Sequence, residues 1–467
     1  MDQLHPMFLR IFKSITQWIF QAQSKTKSSS SAPQKILIVT QFFPPDFAAT
    51  GQLVEELAHN LGQLGLSITV FTGQPGYAFQ KAEAPREEVI GGVRVRRSRV
   101  ARWLSHRIRG KAMNSLLFCL RASLYLLQEA RHHQMLLFTT APPYLSFIGY
   151  VIHRLTGVPY ACLVYDLYPD VAVGLSVVSE NHALVRLWRW LNQLIWRRAH
   201  HIIVLSSTMK DRILEQCRDV GDRISVIHNW ADPNWIIPCQ KQENWFVQEH
   251  QLDQAFTVLY SGNLGRCHDV ETILEAAKIL KDDPVQFVFI GGGAQRAGFI
   301  QKVEASQLSN CRFLPYQDRQ TLPYSLTAGD LTLVSIRHGM EGLIAPSKVY
   351  SGLAAGCPLA IICEADSYLT ELVAQAQCGR TIAHGASADL AEFIRYLASQ
   401  PTQAAAMGAA GRRYLQHHFT PSRIARQYME VLCFGGQISA DLPPRPETQA
   451  LAAEWRIQPE EVPRPRV

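Results

Sequence analysis

Ala345-Pro346-Ser347-Lys348-Val349-Tyr350-Ser351-Gly352-Leu353-Ala354-Ala355-Gly356-Cys357-Pro358-Leu359-Ala360-Ile361-Ile362 reads as a short helix that stops and feeds a buried strand. A small-residue entry ahead of Lys348 opens the helix, and Gly356-Cys357-Pro358 ends it. A helix N-terminus and an ammonium then face one point. Orphan backbone N–H groups, the helix dipole and a full positive charge all favour an anion there, and together they suit a diphosphate.

A second stretch earlier in the chain has the complementary form. In Tyr260-Ser261-Gly262-Asn263-Leu264-Gly265-Arg266 the apolar run 256–260 breaks into glycines and an arginine before a helix begins near Asp269. Strand, Gly-rich turn and helix in that order place the turn at the carboxyl end of a parallel strand, where ligands bind in open α/β sheets. A third turn, Gly291-Gly292-Gly293, follows the apolar run 286–290. Further strands are expected at 311–314, 331–336 and 359–363, with closing helices at 390–397, 403–415 and 422–432.

The first half repeats the alternation. Lys35-Ile36-Leu37-Ile38-Val39-Thr40 is a near-continuous apolar run, as expected of a strand covered on both faces. The helix expected at 52–64 is followed by strands at 68–72, 93–97, 135–139, 160–165, 201–205 and 224–228. This predicts two doubly wound, Rossmann-like α/β domains, 35–230 and 255–434, joined by a polar, tryptophan-bearing connection over 231–254. Loops from both would line a cleft between them. The first domain contributes the loop 41–51, whose Gly51 lets backbone approach a ligand closely. Asp166 and Asp170 fall at the end of a strand facing the same cleft, and Asp166 is the better candidate to orient or deprotonate a hydroxyl bound there.

The composition limits the alternatives. With 467 residues, 47% of them hydrophobic, the chain can form two ordinary cores. Ten cysteines at irregular spacings, with no C-x-x-C pair, read as reduced thiols of a cytoplasmic protein. The histidine doublets His132-His133, His200-His201 and His417-His418 diverge on helix or strand, so no protein-held metal and no cofactor is expected.

No apolar run is long enough to span a bilayer. Membrane contact is expected all the same. Residues 6–20 form a basic apolar leader within the segment 1–34, whose remainder is a Ser-rich linker. Arg94, Arg96, Arg97, Arg99, Arg102, Arg107, Arg109 and Lys111 form a basic block with no acid between them. The apolar run 116–127 follows it directly, which favours an anionic membrane surface over nucleic acid. Residues 435–467 are rich in Pro and charge, without periodicity, and read as a disordered tail.

Taken together, the ordered motifs resemble the retaining glycosyltransferases of family four, which have the GT-B fold, and within them the exopolysaccharide, colanic-acid-type branch. The matching pieces in the first half are Phe43-Pro44-Pro45 after the first strand, Tyr165-Asp166-Leu167-Tyr168-Pro169-Asp170, and Val226-Ile227-His228-Asn229-Trp230-Ala231-Asp232. In the second half they are Ser261 through Arg266, Ile290 through Gly293, and Pro346-Ser347-Lys348 through Gly356-Cys357-Pro358. The resemblance implies a nucleotide-sugar donor in the second domain and a lipid-linked or glycan acceptor in the first. It implies that Arg266 and Lys348 neutralise the leaving diphosphate, that Gly291, Gly293 and Tyr316 lie near the nucleoside, and that Ser347 touches phosphate or ribose. Gly262, Asn263, Pro346 and Ser351 complete the expected donor set.

The chain also departs from the family pattern. Leu343 and Ser351 stand where many members carry a pair of glutamates, with Glu341 nearby but out of register, and Asn263 and His268 stand where an arginine and a lysine are usual. A sugar-nucleotide epimerase of the same fold and a non-catalytic subunit of a polysaccharide assembly complex are the competing readings. A NAD-dependent oxidoreductase is disfavoured, because Pro44-Pro45 with only Gly51 is not a G-x-G-x-x-G turn. The expected setting is the cytoplasmic face of the membrane, with peripheral attachment.

Overall fold

Long β-branched and aliphatic runs set the architecture. Met135–Thr139, Tyr160–Val164 and Leu331–Ser335 are buried at every position, as strands covered by helices on both faces must be. The computed structural model describes residues 33–45, 49–75, 84–98 and 108–434. The leader 6–20 and the tail 435–467 lie outside them, as do Arg99, Arg102 and Arg107 of the basic block.

The first sheet contains β1 (Lys35–Val39), β2 (Ser67–Thr72), β3 (Glu87–Ile90), β4 (Val93–Arg97), β5 (Met135–Thr139), β6 (Tyr160–Val164), β7 (His201–Val204) and β8 (Ile224–Val226). Its order is β3-β4-β2-β1-β5-β6-β7-β8, parallel except for the antiparallel β3–β4 pair. The second contains β9 (Phe256–Ser261), β10 (Val285–Ile290), β11 (Cys311–Leu314), β12 (Leu331–Ser335), β13 (Leu359–Ile362) and β14 (Gly379–Ile382). Its order is β11-β10-β9-β12-β13-β14, parallel throughout.

Both orders reverse direction once. The reversal lies between β1 and β5 in the first sheet and between β9 and β12 in the second. At such a point the crossovers leave in opposite directions, and a crevice opens beyond the strands' carboxyl ends. The turn after β9 is Gly262 to His268, and the loop after β12 runs into Lys348. The two stretches singled out in the sequence therefore border one crevice.

The halves are tied together at several places. The last helix, Pro421–Phe434, packs back on the first-domain helix Ala49–Gln63. Trp230 Nε1 donates to Glu56 Oε2 at 2.8 Å, and Arg319 pairs with Glu55 at 2.8 Å.

The strand β3 was not expected, and it changes the reading of the basic block. It brings Glu87 opposite Arg96, and Glu88 beside Arg97. Arg97 is 1% exposed, paired with Glu88, and donates to the carbonyls of Pro44 at 2.6 Å and Pro85 at 3.0 Å. Arg96 pairs with Glu87 at 3.3 Å and stacks over Tyr125 with 4.8 Å to the ring centre. Arg97 is thus a structural ion in the first domain and not part of a membrane-facing charge patch, a correction to the sequence reading.

Candidate active site

The helix Lys348–Ala355 begins where the sequence places it and ends on Gly356 in the left-handed region, with φ of 70°. Ser347 occupies the cap position, but its side chain makes no capping bond to the first turn. The hydroxyl of Ser351 points back to the carbonyl of Lys348 at 3.0 Å, and Pro346 is buried.

Lys348 folds against the turn after β9. Its Nζ donates to the carbonyl of Asn263 at 3.3 Å and lies 5.0 Å from the centre of the Tyr260 ring. Gly262 has φ of 120°, and a Cβ there would approach the Lys348 side chain at 3.1 Å. The positive φ favours glycine here, and an added Cβ would also push the Lys348 side chain aside. No carboxylate pairs with the ammonium among the described residues, and desolvation lowers its pKa to about 8. An unpaired, desolvated cation beside a backbone turn is an arrangement that suits an anion.

The triple glycine seals the same turn from the other side. Gly262 N donates to the carbonyl of Ile290 at 2.8 Å, and Leu264 N to that of Gly292 at 2.7 Å. A Cβ on Gly291 would meet the Gly262 carbonyl at 2.3 Å, and one on Gly293 would meet Asn263 Oδ1 at 2.5 Å. The ring of Tyr316 lies over Gly291 and Gly292 and is partly exposed. Asn263 and Arg266 are exposed on the turn, and among the described residues Arg266 has no ion-pair partner.

From the opposite side the first domain presents Asp166. It forms an antiparallel bridge with Ile344, and the next amide, Leu167 N, donates to the carbonyl of Leu343 at 2.9 Å. The residue is half-buried with its carboxyl deep among protein atoms, and burial pushes it up to about 6. It lies close enough to Cys267, on the β9 turn, to add to the burial that holds that thiol near 11. Asp170 has a different role. Arg189 donates to its Oδ1 through Nε at 3.0 Å and through the terminal nitrogen at 2.7 Å, and Gln216 donates to Oδ2 at 3.2 Å. Asp166 has no ion-pair partner among the described residues, and Asp170 braces the helix Ala183–Arg198.

Gly51 follows the loop after β1. A Cβ there would come 3.2 Å from the backbone of Phe42 and Phe43, so its close approach is to its own loop. Residues 46–48 of that loop lie outside the described residues. The positions that depart from the family pattern are also occupied structurally. Leu343 is buried and holds Leu167 through its carbonyl. Glu341 is buried, accepts from Thr208 at 2.8 Å, and has its pKa raised by burial. His268 Nδ1 donates to the carbonyl of Ser335 at 2.7 Å, so that nitrogen carries the proton. Desolvation, reinforced by Lys348, lowers its pKa to about 3, so it is a neutral brace under the turn.

Two features went unread in the sequence. Tyr260, taken only as strand, supplies the ring face beneath Lys348. His338, Glu364 and His384 gather at neighbouring strand ends with ligand atoms within 4.8 Å of one another, a group that could hold a metal ion.

Comparisons with known proteins agree with this geometry. Residues 49–230 match the Glycosyl transferase 4-like domain and residues 241–414 match Glycosyl transferases group 1. The chain is 26% identical over 302 residues to the probable glycosyltransferase WbjE of Pseudomonas aeruginosa, covering 64% of this chain and 74% of the relative. It is 26% identical over 229 residues to WcaI of Escherichia coli (strain K12), a glycosyl transferase assigned to colanic acid biosynthesis, covering 48% of this chain and 55% of the relative. Among solved structures, sucrose-phosphate synthase from Thermosynechococcus elongatus superposes with a TM-score of 0.68 at 18% identity, over 85% of this chain and 98% of that one. HepE from Anabaena, solved with UDP and glucose, superposes with a TM-score of 0.65 at 16% identity, over 85% and 99%. With one glycosyltransferase model on each of its two parallel-sheet domains, in the order in which the domains occur, the chain belongs to the family-four-type glycosyltransferases of GT-B fold.

Proposed function

We propose that the protein transfers a sugar, with retention, from a UDP- or GDP-sugar to a lipid-linked or polysaccharide acceptor in cell-surface glycan synthesis. The observation that carries the donor side is Lys348, held unpaired against the Gly262 turn at the reversal point of the second sheet. A diphosphate leaving group gains negative charge as the glycosidic bond breaks, so a cation fixed in advance stabilises the transition state more than the bound donor. Arg266, exposed on the same turn, supplies a second cation, and Tyr316 over the triple glycine offers a flat face to the nucleoside base. That HepE was solved with UDP and glucose supports this class of donor.

Asp166 faces that site from the acceptor domain. A carboxylate with its pKa near 6 is ionised at neutral pH and basic enough to take a hydrogen bond from, or deprotonate, an acceptor hydroxyl. The departing phosphate oxygen can share that task. The described residues around the turn offer no second carboxylate for a double displacement, since Asp170 and Glu341 are held by Arg189 and Thr208.

An acceptor at a membrane is supported by the surface of the first domain. On the helix Ile108–Glu129, Met113, Leu116, Leu120, Leu124 and Leu127 form one exposed stripe at helical spacing. The adjoining helices Leu145–Thr156 and Ala183–Arg198 add exposed Phe147, Leu184, Leu187 and Trp190. We read this face as resting on the anionic inner leaflet, with no spanning helix required. The test is incubation with UDP- and GDP-sugars and lipid-linked acceptors, followed by product analysis. A glycosylated acceptor with the donor's anomeric configuration supports the reading. Donor binding without transfer to any acceptor favours the non-catalytic subunit, and conversion of the donor sugar without acceptor favours the epimerase.

A further inference from the structure

We propose that His338, Glu364 and His384 form a binding site for a divalent transition-metal ion, with Zn2+ the best match, at the carboxyl ends of β12, β13 and β14. Each residue follows one of three adjacent parallel strands, so the sheet itself converges them. One donor atom from each lies within 4.8 Å of the others, and His338 Nδ1 is 3.3 Å from Glu364 Oε1.

The second observation concerns His384. Its Nδ1 is 3.0 Å from Asp269 Oδ2, which makes Nδ1 the protonated nitrogen and leaves Nε2 with its lone pair. That Nε2 is buried and has no hydrogen-bond partner among the described residues. A carboxylate that fixes one imidazole nitrogen while the other is left bare is the arrangement by which proteins orient a metal-ligating histidine. Asp269 is itself held, because its oxygens also accept from the amide and hydroxyl of Thr272 at 3.0 and 2.7 Å.

Glu364 is similarly fixed. Gly339 N donates to its Oε1 at 2.6 Å, which aims the carboxylate toward the two rings. The rings of His338 and His384 are 5.5 Å apart and edge-to-face, an arrangement that lets two nitrogens converge without stacking. Donors around a tetrahedral zinc ion stand about 3.4 Å apart, given metal–ligand distances near 2.1 Å. His338 and Glu364 already meet that spacing. His338, whose side chain is 83% exposed, is free to turn and close the rest. Two imidazoles and one carboxylate suit zinc better than magnesium or calcium, which prefer all-oxygen sets, and three protein ligands leave a fourth position open.

The position gives the ion a structural consequence. His338 opens the loop that continues through Glu341, Leu343 and Ile344, the residues touching Thr208, Leu167 and Asp166, and ends at Lys348. A metal would anchor the start of that loop to the ends of β13 and β14. The inference does not depend on which sugar is transferred, or on transfer at all.

The test uses the full chain, freed of metal by a chelator and dialysed against Zn2+, then against Co2+ for its visible spectrum. The expected result is one equivalent bound through nitrogen and oxygen, giving visible ligand-field bands without thiolate charge transfer. His338→Ala, Glu364→Gln and His384→Ala should each remove that equivalent. Asp269→Asn, which keeps an acceptor for Thr272, should weaken binding by roughly 10- to 100-fold. His338→Ala keeps the test valid if a more buried variant does not fold. The proposal is overturned if no metal is retained, if the His338→Ala protein binds as the unmodified chain does, or if thiolate bands show that the free cysteines hold the ion.

Discussion

Replacing Lys348 by methionine should stabilise the fold while it removes activity. The ammonium lies between the Gly262 turn and the Tyr260 ring without a carboxylate, and burial lowers its pKa from 10.5 to about 8. At about 1.4 kcal/mol per pH unit, that displacement corresponds to a folding penalty on the order of 3 kcal/mol at neutral pH. Because part of the side chain remains in contact with water, about 1–2 kcal/mol is expected to be measurable. Methionine keeps the apolar stem over the ring, where a sulfur–ring contact offsets the lost contact of the ammonium with the ring, and gives up the 3.3 Å hydrogen bond to Asn263, worth about 0.5–1 kcal/mol. The net gain is then roughly 1 kcal/mol, seen as a higher urea midpoint with an unchanged slope. The pH dependence has a definite sign. Below pH 8 the lysine is charged in both the folded and unfolded states and the penalty is complete. Between about 8 and 10.5 the folded state releases its proton first, the unfolded state binds more protons, and the unmodified chain gains stability. The gap between the two proteins should therefore close over that window. A lower midpoint for the variant at pH 7, or a gap that does not vary with pH, would refute the reasoning.

Three further outcomes follow from the same geometry. The pH profile of kcat/KM should be bell-shaped, rising as Asp166 ionises near 6 and falling as Lys348 loses its charge near 8, and Asp166→Asn should remove the acid limb along with most of the rate. Gly291→Ala should displace the turn that carries Gly262, because the added Cβ would lie 2.3 Å from the Gly262 carbonyl at a positive φ. A loss of about 1–3 kcal/mol of stability, measured by urea unfolding, is expected with a marked fall in turnover. Arg97→Ala should destabilise by about 2–4 kcal/mol, since it orphans Glu88 and two backbone carbonyls, whereas Arg94→Ala should change the urea midpoint little.

Much of the fold could be read from burial. Strands covered on both faces, such as β5, β6 and β12, announce themselves as unbroken apolar runs, and the structure places them within a residue of expectation. The two strands missed are both sheet edges. Glu-Glu-Val-Ile of β3 alternates exposure, and Gly-Arg-Thr-Ile of β14 has a single buried residue, so neither carries the signal of a core strand. Missing β3 had a consequence, because that strand carries the acids that neutralise Arg96 and Arg97. The pairing of Lys348 with the Gly262 turn was legible because parallel topology brings β9 and β12 together whatever lies between them. The separate roles of Asp166 and Asp170 were not, since they depend on Arg189 and Gln216 arriving from other helices. The cluster of His338, Glu364 and His384 was invisible for the same reason. Its members share no local motif and meet only at the ends of three strands.

The donor site is tested most directly by calorimetric titration of the full chain with UDP and GDP between pH 8 and 9, in two buffers of different ionisation heat. The account predicts that one of them binds with uptake of a proton, because the diphosphate restores charge to Lys348, and that Lys348→Met loses both the uptake and most of the affinity. Binding of equal strength to the variant, without proton uptake in either protein, would contradict it.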